Sequence, residues 1–308
     1  MAEPIVECVP NFSEGRDEGV VREIARSMRV YGVSLLDWSM DRDHNRSVIT
    51  IAGPPDAVAE AAIRGVGRAA ELIDLTQQAG VHPRVGAADV VPFIPVQNFA
   101  LGQCVSLAHH AGLQIWQRFG VPVYFYEAAA RRPDRVLLEQ VRRGQFEGLR
   151  DAVRVDPMRC PDVGICELHK TAGASLVAAR DFLIAYNIYL QGDDLHAARA
   201  IARSLRAAGG GLPGVKAMGV LVNGRAQVSM NVTDFRAVSV AQVHAAVQRL
   251  AGDQGIGIAE GELIGLVPAS ACQSEEGHTV PEWARQIPGF VPGERILEQK
   301  LASPMQWP

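Results

Sequence analysis

The chain has 308 residues, 48% of them apolar and 21% charged, with 30 Gly, 18 Pro and 5 Cys. That is enough apolar material for one large core or two medium ones, and it excludes a disordered chain, a collagen-like chain and a disulfide-stapled miniprotein. The formal charge of −4, from 30 basic and 34 acidic residues, excludes non-specific nucleic-acid binding through a basic face.

Only Lys170, Lys216 and Lys300 are lysines, so the cationic side chains are nearly all arginine. The bias suits bidentate pairing with carboxylates or phosphates, and genome composition produces it equally well. The 5 cysteines are odd in number, contain no Cys-x-x-Cys pair and sit in apolar-looking segments, which predicts reduced, mostly buried thiols. Residues 1–10 carry Glu3 and Glu7 without a basic flank or long apolar run, and do not read as a signal peptide. No stretch approaches ~20 uninterrupted apolar residues. A cytoplasmic protein is expected, in which Asn11-Phe12-Ser13, Asn45-Arg46-Ser47 and Asn231-Val232-Thr233 carry no meaning as glycosylation triplets.

In chain order, residues 5–9 read as a strand. Residues 17–29 read as a helix with Val20, Val21, Ile24, Ala25 and Met28 at helical spacing. Strands at 33–37 and 47–52 flank the polar turn Asp41-Arg42-Asp43-His44-Asn45. Pro54, Pro55 and Asp56 then open an Ala-rich helix to about Leu72. Residues 90–96, interrupted by Pro92 and Pro95, read as an edge strand. Helices around a strand at 121–126 fill residues 97–152, extending this first set. A boundary is expected at 175–180, after the Pro-, Gly- and Cys-rich segment 157–173.

The order then recurs. Residues 182–190 read as a strand, and 193–208 as a helix stopped by Gly209-Gly210-Gly211. Strands 216–222 and 226–232 flank the hairpin signal Asn223-Gly224. A helix at 239–250 and a strand at 261–268 complete the set. Both halves read β-α-β-β-α-β, so the expected class is α+β with two ferredoxin-like subdomains, 1–177 and 178–308. The second ends in a tail from residue 276, with five prolines and a helical stretch at 292–301, that either wraps its domain or contacts a partner subunit.

Most of the 8 histidines have ordinary readings. His109 and His110 are neighbours on a helix and face different ways, the wrong geometry for a shared metal. His196, His244 and His278 read as structural or solvated. The segment Asp37-Trp38-Ser39-Met40-Asp41-Arg42-Asp43-His44-Asn45-Arg46 crowds three acids, a His and two Arg. It lacks the Gly and distal Glu of a calcium loop, and Arg42 and Arg46 repel a cation, so no metal is expected. It reads either as a turn built from Asp and Asn for backbone reasons or as part of a site. His82 lies in Ala79-Gly80-Val81-His82-Pro83-Arg84-Val85-Gly86-Ala87-Ala88-Asp89, stiffened by Pro83 and open to close approach at Gly80 and Gly86. Its Arg and Asp neighbours suit a general base tuned near neutrality, against the plain reading of a surface histidine.

These segments resemble the glutamate formimidoyltransferases of the stand-alone microbial kind. The resemblance is carried by Val6-Glu7-Cys8-Val9-Pro10-Asn11-Phe12-Ser13-Glu14-Gly15, His44-Asn45-Arg46-Ser47-Val48 and Val81-His82-Pro83-Arg84-Val85-Gly86-Ala87. It continues through Val90-Val91-Pro92-Phe93-Ile94-Pro95-Val96, Val121-Pro122-Val123-Tyr124, Pro161-Asp162-Val163-Gly164, Thr171-Ala172-Gly173-Ala174 and Phe182-Leu183-Ile184-Ala185-Tyr186-Asn187, over roughly residues 4–300. It implies transfer of a formimidoyl group from N-formimidoyl-L-glutamate to the co-substrate tetrahydrofolate in histidine degradation, by a homodimer of paired ferredoxin-like subdomains.

The resemblance makes His82 the catalytic acid/base. It places the folate loop at Gly164-Ile165-Cys166-Glu167-Leu168-His169-Lys170-Thr171-Ala172-Gly173, with Ile165 and Lys170 where relatives often have Pro, and Val163 where Phe is common. Asp37 is a candidate orienting acid. Arg46 and Arg84 are candidate carboxylate forks, and Asn11, Asn45 and Asn187 candidate amide contacts. The alternatives are the same fold acting on N-formimidoylglycine or N-formylglutamate, and a non-catalytic folate or amino-acid sensor.

Overall fold

A computed structural model of the chain describes residues 3–80, 83–272, 282–288 and 290–308; His278 lies outside them. The chain divides into two units, Met1–Arg180 with Pro304–Pro308, and Asp181–Ser303.

The first unit contains β1 (Ile5–Cys8), β2 (Asn11–Phe12), α1 (Glu18–Ser27), β3 (Ser34–Asp41), β4 (Arg46–Gly53), α2 (Pro55–Leu72), β5 (Ala88–Gln97), α3 (Leu101–Phe119), β6 (Val123–Glu127), α4 (Leu138–Val141), α5 (Gln145–Ala152) and β7 (Ser175–Ala179). Asp17 starts α1 by accepting from the N–H groups of Gly19 and Val20, a cap worth about 1 kcal/mol. β1 and β2 share one lane between β4 and β5, and β3 lies outside β4. With its two connecting helices this is the βαββαβ arrangement. β7 and then β6 extend the sheet in parallel beyond β5. The core combines Phe12, Ile24, Met28 and Ile51 with residues of α2 and α3.

Two expectations change here. The 90–96 strand is not an edge: β5 is paired antiparallel to β1 and parallel to β7. Pro92 donates nothing to the ladder, but its carbonyl still accepts from Val9, and the irregular β1–β2 lane absorbs the missing donors. β7 has no counterpart in the predicted elements, since Ser-Leu-Val-Ala-Ala lacks alternation. A parallel strand buried on both faces needs none, and all five of its residues are buried.

In the second unit β8 (Ile184–Leu190), α6 (Leu195–Leu205), β9 (Val215–Val222), β10 (Arg225–Val232), α7 (Val240–Gly252) and β11 (Ile258–Ile264) repeat the order, with sheet sequence β11-β8-β10-β9. Ser239 caps α7 in a reciprocal box with Gln242. The final strand is centred earlier than 261–268, because Gly265 turns the chain at φ 78°. The tail settles on both units: α8 (Glu282–Arg285), α9 (Pro292–Arg295) and α10 (Leu297–Ala302) belong to the second, and Trp283 and Ile296 are buried in its core. Residues 304–308 belong to the first, where Met305 N–H donates to Leu35 and Arg26 Nε to the Pro308 carbonyl.

Cys8, Cys104 and Cys272 are free and buried, as expected of thiols. Cys160 and Cys166 are not: they form a disulfide across six positions. The intervening residues bring the two sulfurs together, a proximity that the absence of a Cys-x-x-Cys spacing concealed.

Candidate active site

The turn between β3 and β4 is closed by its own first acid. Asp41 Oδ1 accepts from the N–H groups of Asp43 and His44, both at 2.9 Å, and Oδ2 lies 2.8 Å from His44 Nδ1. Burial pushes the Asp41 carboxyl up, but the backbone N–H and the ring of His44 outweigh it and hold the group below the usual carboxylate range.

Asn45 follows at φ 50°, a left-handed conformation that Asn tolerates. Its Oδ1 accepts from Gly15 N–H at 2.9 Å and its Nδ2 donates to Ala79 O at 3.1 Å. The buried amide therefore joins the loop after β2 to the loop before β5. Gly80 closes the same joint: a Cβ there would stand 2.6 Å from His44 O, so only glycine fits.

Val81 and His82 lie outside the described residues. The segments on either side are firmly held. Before them, Gln78 Nε2 donates to Ser13 O. After them, Arg84 is buried, with Nη2 2.7 Å from Gln78 O and 2.9 Å from Glu147 Oε1. Val85 N–H donates to Asp89 Oδ1 at 2.7 Å. Arg84 Nη2 is engaged within the protein, while its Nε is buried without an acceptor among the described residues.

The 164–173 segment is laced to the same loop. Leu75 N–H donates to Thr171 O, Ala87 N–H to Ala172 O and Ala174 N–H to Val85 O. Gly173 makes the approach possible, since a Cβ there would lie 2.0 Å from Val85 O and its φ is +69°. His169 Nδ1 accepts from Ala172 N–H at 3.0 Å, and burial lowers the pKa of the ring. Leu168 is buried beneath, whereas Gly164, Ile165, Cys166, Glu167 and Lys170 are exposed. The disulfide to Cys160 clamps the start of this exposed stretch.

A third group of polar side chains lies on the sheet. Asn11 stands opposite Val48 and Val90, and the register continues through Leu176 to Tyr124. Alternation then puts Asn11, Arg46 and Tyr126 on one face. Arg46 Nη2 donates to Asn11 Oδ1, and Arg142, just past α4, pairs with Asp89. Burial, then the like charge of Arg142, lowers the Arg46 pKa to about 10, so it remains a cation at neutral pH.

Asp37 pairs in register with Thr50 on the outer strand β3. Asn187 lies in the second unit, where Nδ2 donates to Glu262 Oε2 at 2.9 Å and Oδ1 accepts from Met230 N–H at 3.3 Å. Asn11, Asn45, Arg46, Arg84 and the 164–173 loop thus share the first unit. Gln78, Tyr126 and Arg142 were not among the predicted site residues. Nothing local distinguishes Arg142 among so many arginines; only its pairing with buried Asp89 does. Among the described residues no cluster of three His, Cys, Asp or Glu is arranged to hold a metal ion, and no helix is long and apolar enough to cross a membrane.

Residues 5–180 match the family model for the formiminotransferase domain, N-terminal subdomain, and residues 185–297 match that for the formiminotransferase domain. A glutamate formimidoyltransferase of Streptococcus pyogenes serotype M1 is 39% identical over 96% of this chain and 98% of its own. One from Thermoplasma acidophilum is 40% identical over 96% and 97%. The formimidoyltransferase-cyclodeaminase of Mus musculus is 35% identical over 96% of this chain but only 59% of its own length.

Proposed function

The chain belongs to the formiminotransferase family, and from that premise we propose that it transfers the formimidoyl group of N-formimidoyl-L-glutamate to tetrahydrofolate, releasing 5-formimidoyltetrahydrofolate and L-glutamate. What carries the reading is identity of 39–40% to glutamate formimidoyltransferases, sustained through 96% of the chain. The lacing of the 164–173 loop to the segment that follows His82 supports it, because a folate loop and a general base must act on one reacting nitrogen.

The donor is an amidine whose carbon becomes electrophilic on protonation. Attack by a reduced-pterin nitrogen gives a tetrahedral intermediate with an excess proton on the incoming nitrogen and a poor leaving amine. His82 removes that proton and delivers it to the departing glutamate nitrogen. The acids of the 37–43 segment, Asp37 first among them, are the candidates for orienting it, and Arg46 and Asn11 serve substrate carboxylate or amide groups. Asn187 is a further candidate for an amide contact with substrate. Exposed residues of the 164–173 loop receive the pterin. The chain acts in the cytoplasm as a homodimer, in the breakdown of histidine.

The test is product formation from tetrahydrofolate with N-formimidoyl-L-glutamate, N-formimidoylglycine and N-formyl-L-glutamate offered separately. The expected result is turnover with the first donor and a ~10²–10⁴-fold lower kcat for His82→Ala. Folate binding without turnover of any donor would overturn the transferase reading in favour of a sensor. Sedimentation equilibrium tests the dimer.

A further inference from the structure

Two arginines near this sheet face, Arg46 and Arg142, are incompletely satisfied. Arg46 donates to Asn11 and Arg142 to Asp89, yet the Nε of each is buried without an acceptor among the described residues. Buried guanidinium donors are ordinarily paired, and each exception calls for an occupant or a reason. The two cations repel one another across Asp89, whose other oxygen already accepts from Val85 N–H, and Asp41 is a second acid in the surroundings of Arg46. Tyr126 supplies a further donor beside them. Burial, then the neighbouring Glu127 carboxylate, pushes its phenol far above the usual range, so the hydroxyl keeps its proton.

We propose that Arg46 and Arg142, with the Tyr126 hydroxyl, form a binding site for a carboxylate group. A carboxylate between the guanidiniums offers acceptor lone pairs to planar forks built to receive them. The assignment of Arg142 and Tyr126 rests on the transferase reading only for the identity of the ligand, since both substrates of that reaction carry carboxylates: the glutamate of the donor and the glutamate tail of the folate.

Calorimetric binding of L-glutamate, of tetrahydrofolate and of tetrahydropteroate, which lacks the glutamate tail, distinguishes these sources without requiring turnover. The variants are Arg142→Gln, Arg142→Lys and Tyr126→Phe. Tyr126→Phe leaves the Arg142–Asp89 ion pair and the Arg46–Asn11 hydrogen bond intact and keeps the test alive if Arg142→Gln fails to fold.

The expected result is a loss of about tenfold to a hundredfold in L-glutamate affinity for Arg142→Gln. Arg142→Lys and Tyr126→Phe should lose less, with tetrahydropteroate binding unchanged in all three. A loss confined to tetrahydrofolate, with L-glutamate and tetrahydropteroate unaffected, supports the site and assigns it to the folate tail. Unchanged affinity for both glutamate-bearing ligands in Tyr126→Phe and Arg142→Lys overturns the proposal, whether or not the protein proves to be a transferase.

Discussion

Arg84 Nη2 lies 2.9 Å from Glu147 Oε1 and 2.7 Å from the Gln78 carbonyl, so one guanidinium edge holds α5 against the turn that precedes the histidine loop. The arginine is 8% exposed while its glutamate is 56% exposed, and the two sides of the pair are therefore unequal. Removing the glutamate returns the cation to carbonyl partners. Removing the arginine leaves the Gln78 and Leu75 carbonyls without their donor.

Arg84→Ala is expected to lower unfolding free energy by about 2–3 kcal/mol through its charge-assisted bonds. Glu147→Gln should cost under about 1 kcal/mol, since the glutamate is 56% exposed and its own charge is largely screened by water. Urea denaturation of both variants measures the contrast. Equal losses would mean that the carboxylate, not the backbone, anchors Arg84.

At Asn45 the backbone and the side chain make separable demands. Asn45→Ala loses two hydrogen bonds and places an ordinary side chain at φ 50°, whereas Asn45→Gly loses the bonds alone. The alanine variant is expected to be less stable than the glycine variant by about 1 kcal/mol, the cost of a left-handed residue with a Cβ. Both should be less stable than the parent. Thermal denaturation of the three proteins provides the comparison, and alanine equal to glycine would remove the conformational part.

The cysteines divide by environment. Burial raises the thiol pKa of Cys8 and pushes that of Cys272 up to about 11, which suppresses the reactive thiolate. Iodoacetamide applied to the oxidised native protein should therefore label none of the three free cysteines. After mild reduction it should label Cys160 and Cys166, read by intact mass and peptide mapping. Labelling at Cys160 before any reductant would show that the pair is open in solution.

Asp41 has a carboxyl pKa lower in the folded chain than in the unfolded one, where ~3.9 is ordinary. Its contribution to stability is then fully present above that unfolded value and disappears as pH falls through the folded value. Asp41→Asn should flatten the acid limb of the stability–pH curve and leave a constant offset above pH ~5. An unchanged acid limb would show that the His44 contacts do not hold the charge.

The duplicated βαββαβ order was readable from hydrophobic period and turn chemistry, because each copy pairs short strands with capped helices. Asn223-Gly224 does join β9 to β10, and the Gly-rich stop does follow α6. β7 escaped because a strand buried on both faces shows no period, and β5 was misplaced because its prolines mask a paired position. At the site, His44-Asn45-Arg46 and the loop after His82 stood out by residue type alone. What residue type could not convey was partnering: folding engages the Asn45 amide with Gly15 N–H and the Ala79 carbonyl, and turns Arg84 Nη2 toward the Gln78 carbonyl. Arg142 had the opposite fate, an anonymous arginine that folding places beside a buried carboxylate.

The return of residues 304–308 to β3 and α1 makes the second unit an insertion in the chain of the first. Melting the inserted unit does not release the tail; it converts the whole of residues 181–303 into a loop closed at both ends by its host. Closure entropy grows only with the logarithm of loop length, so the host bears little extra burden from so long a guest. Circular permutants opened within the guest would convert a tether into a pair of loose ends, and the contacts of Met305 and Trp307 would then have to hold the tail alone.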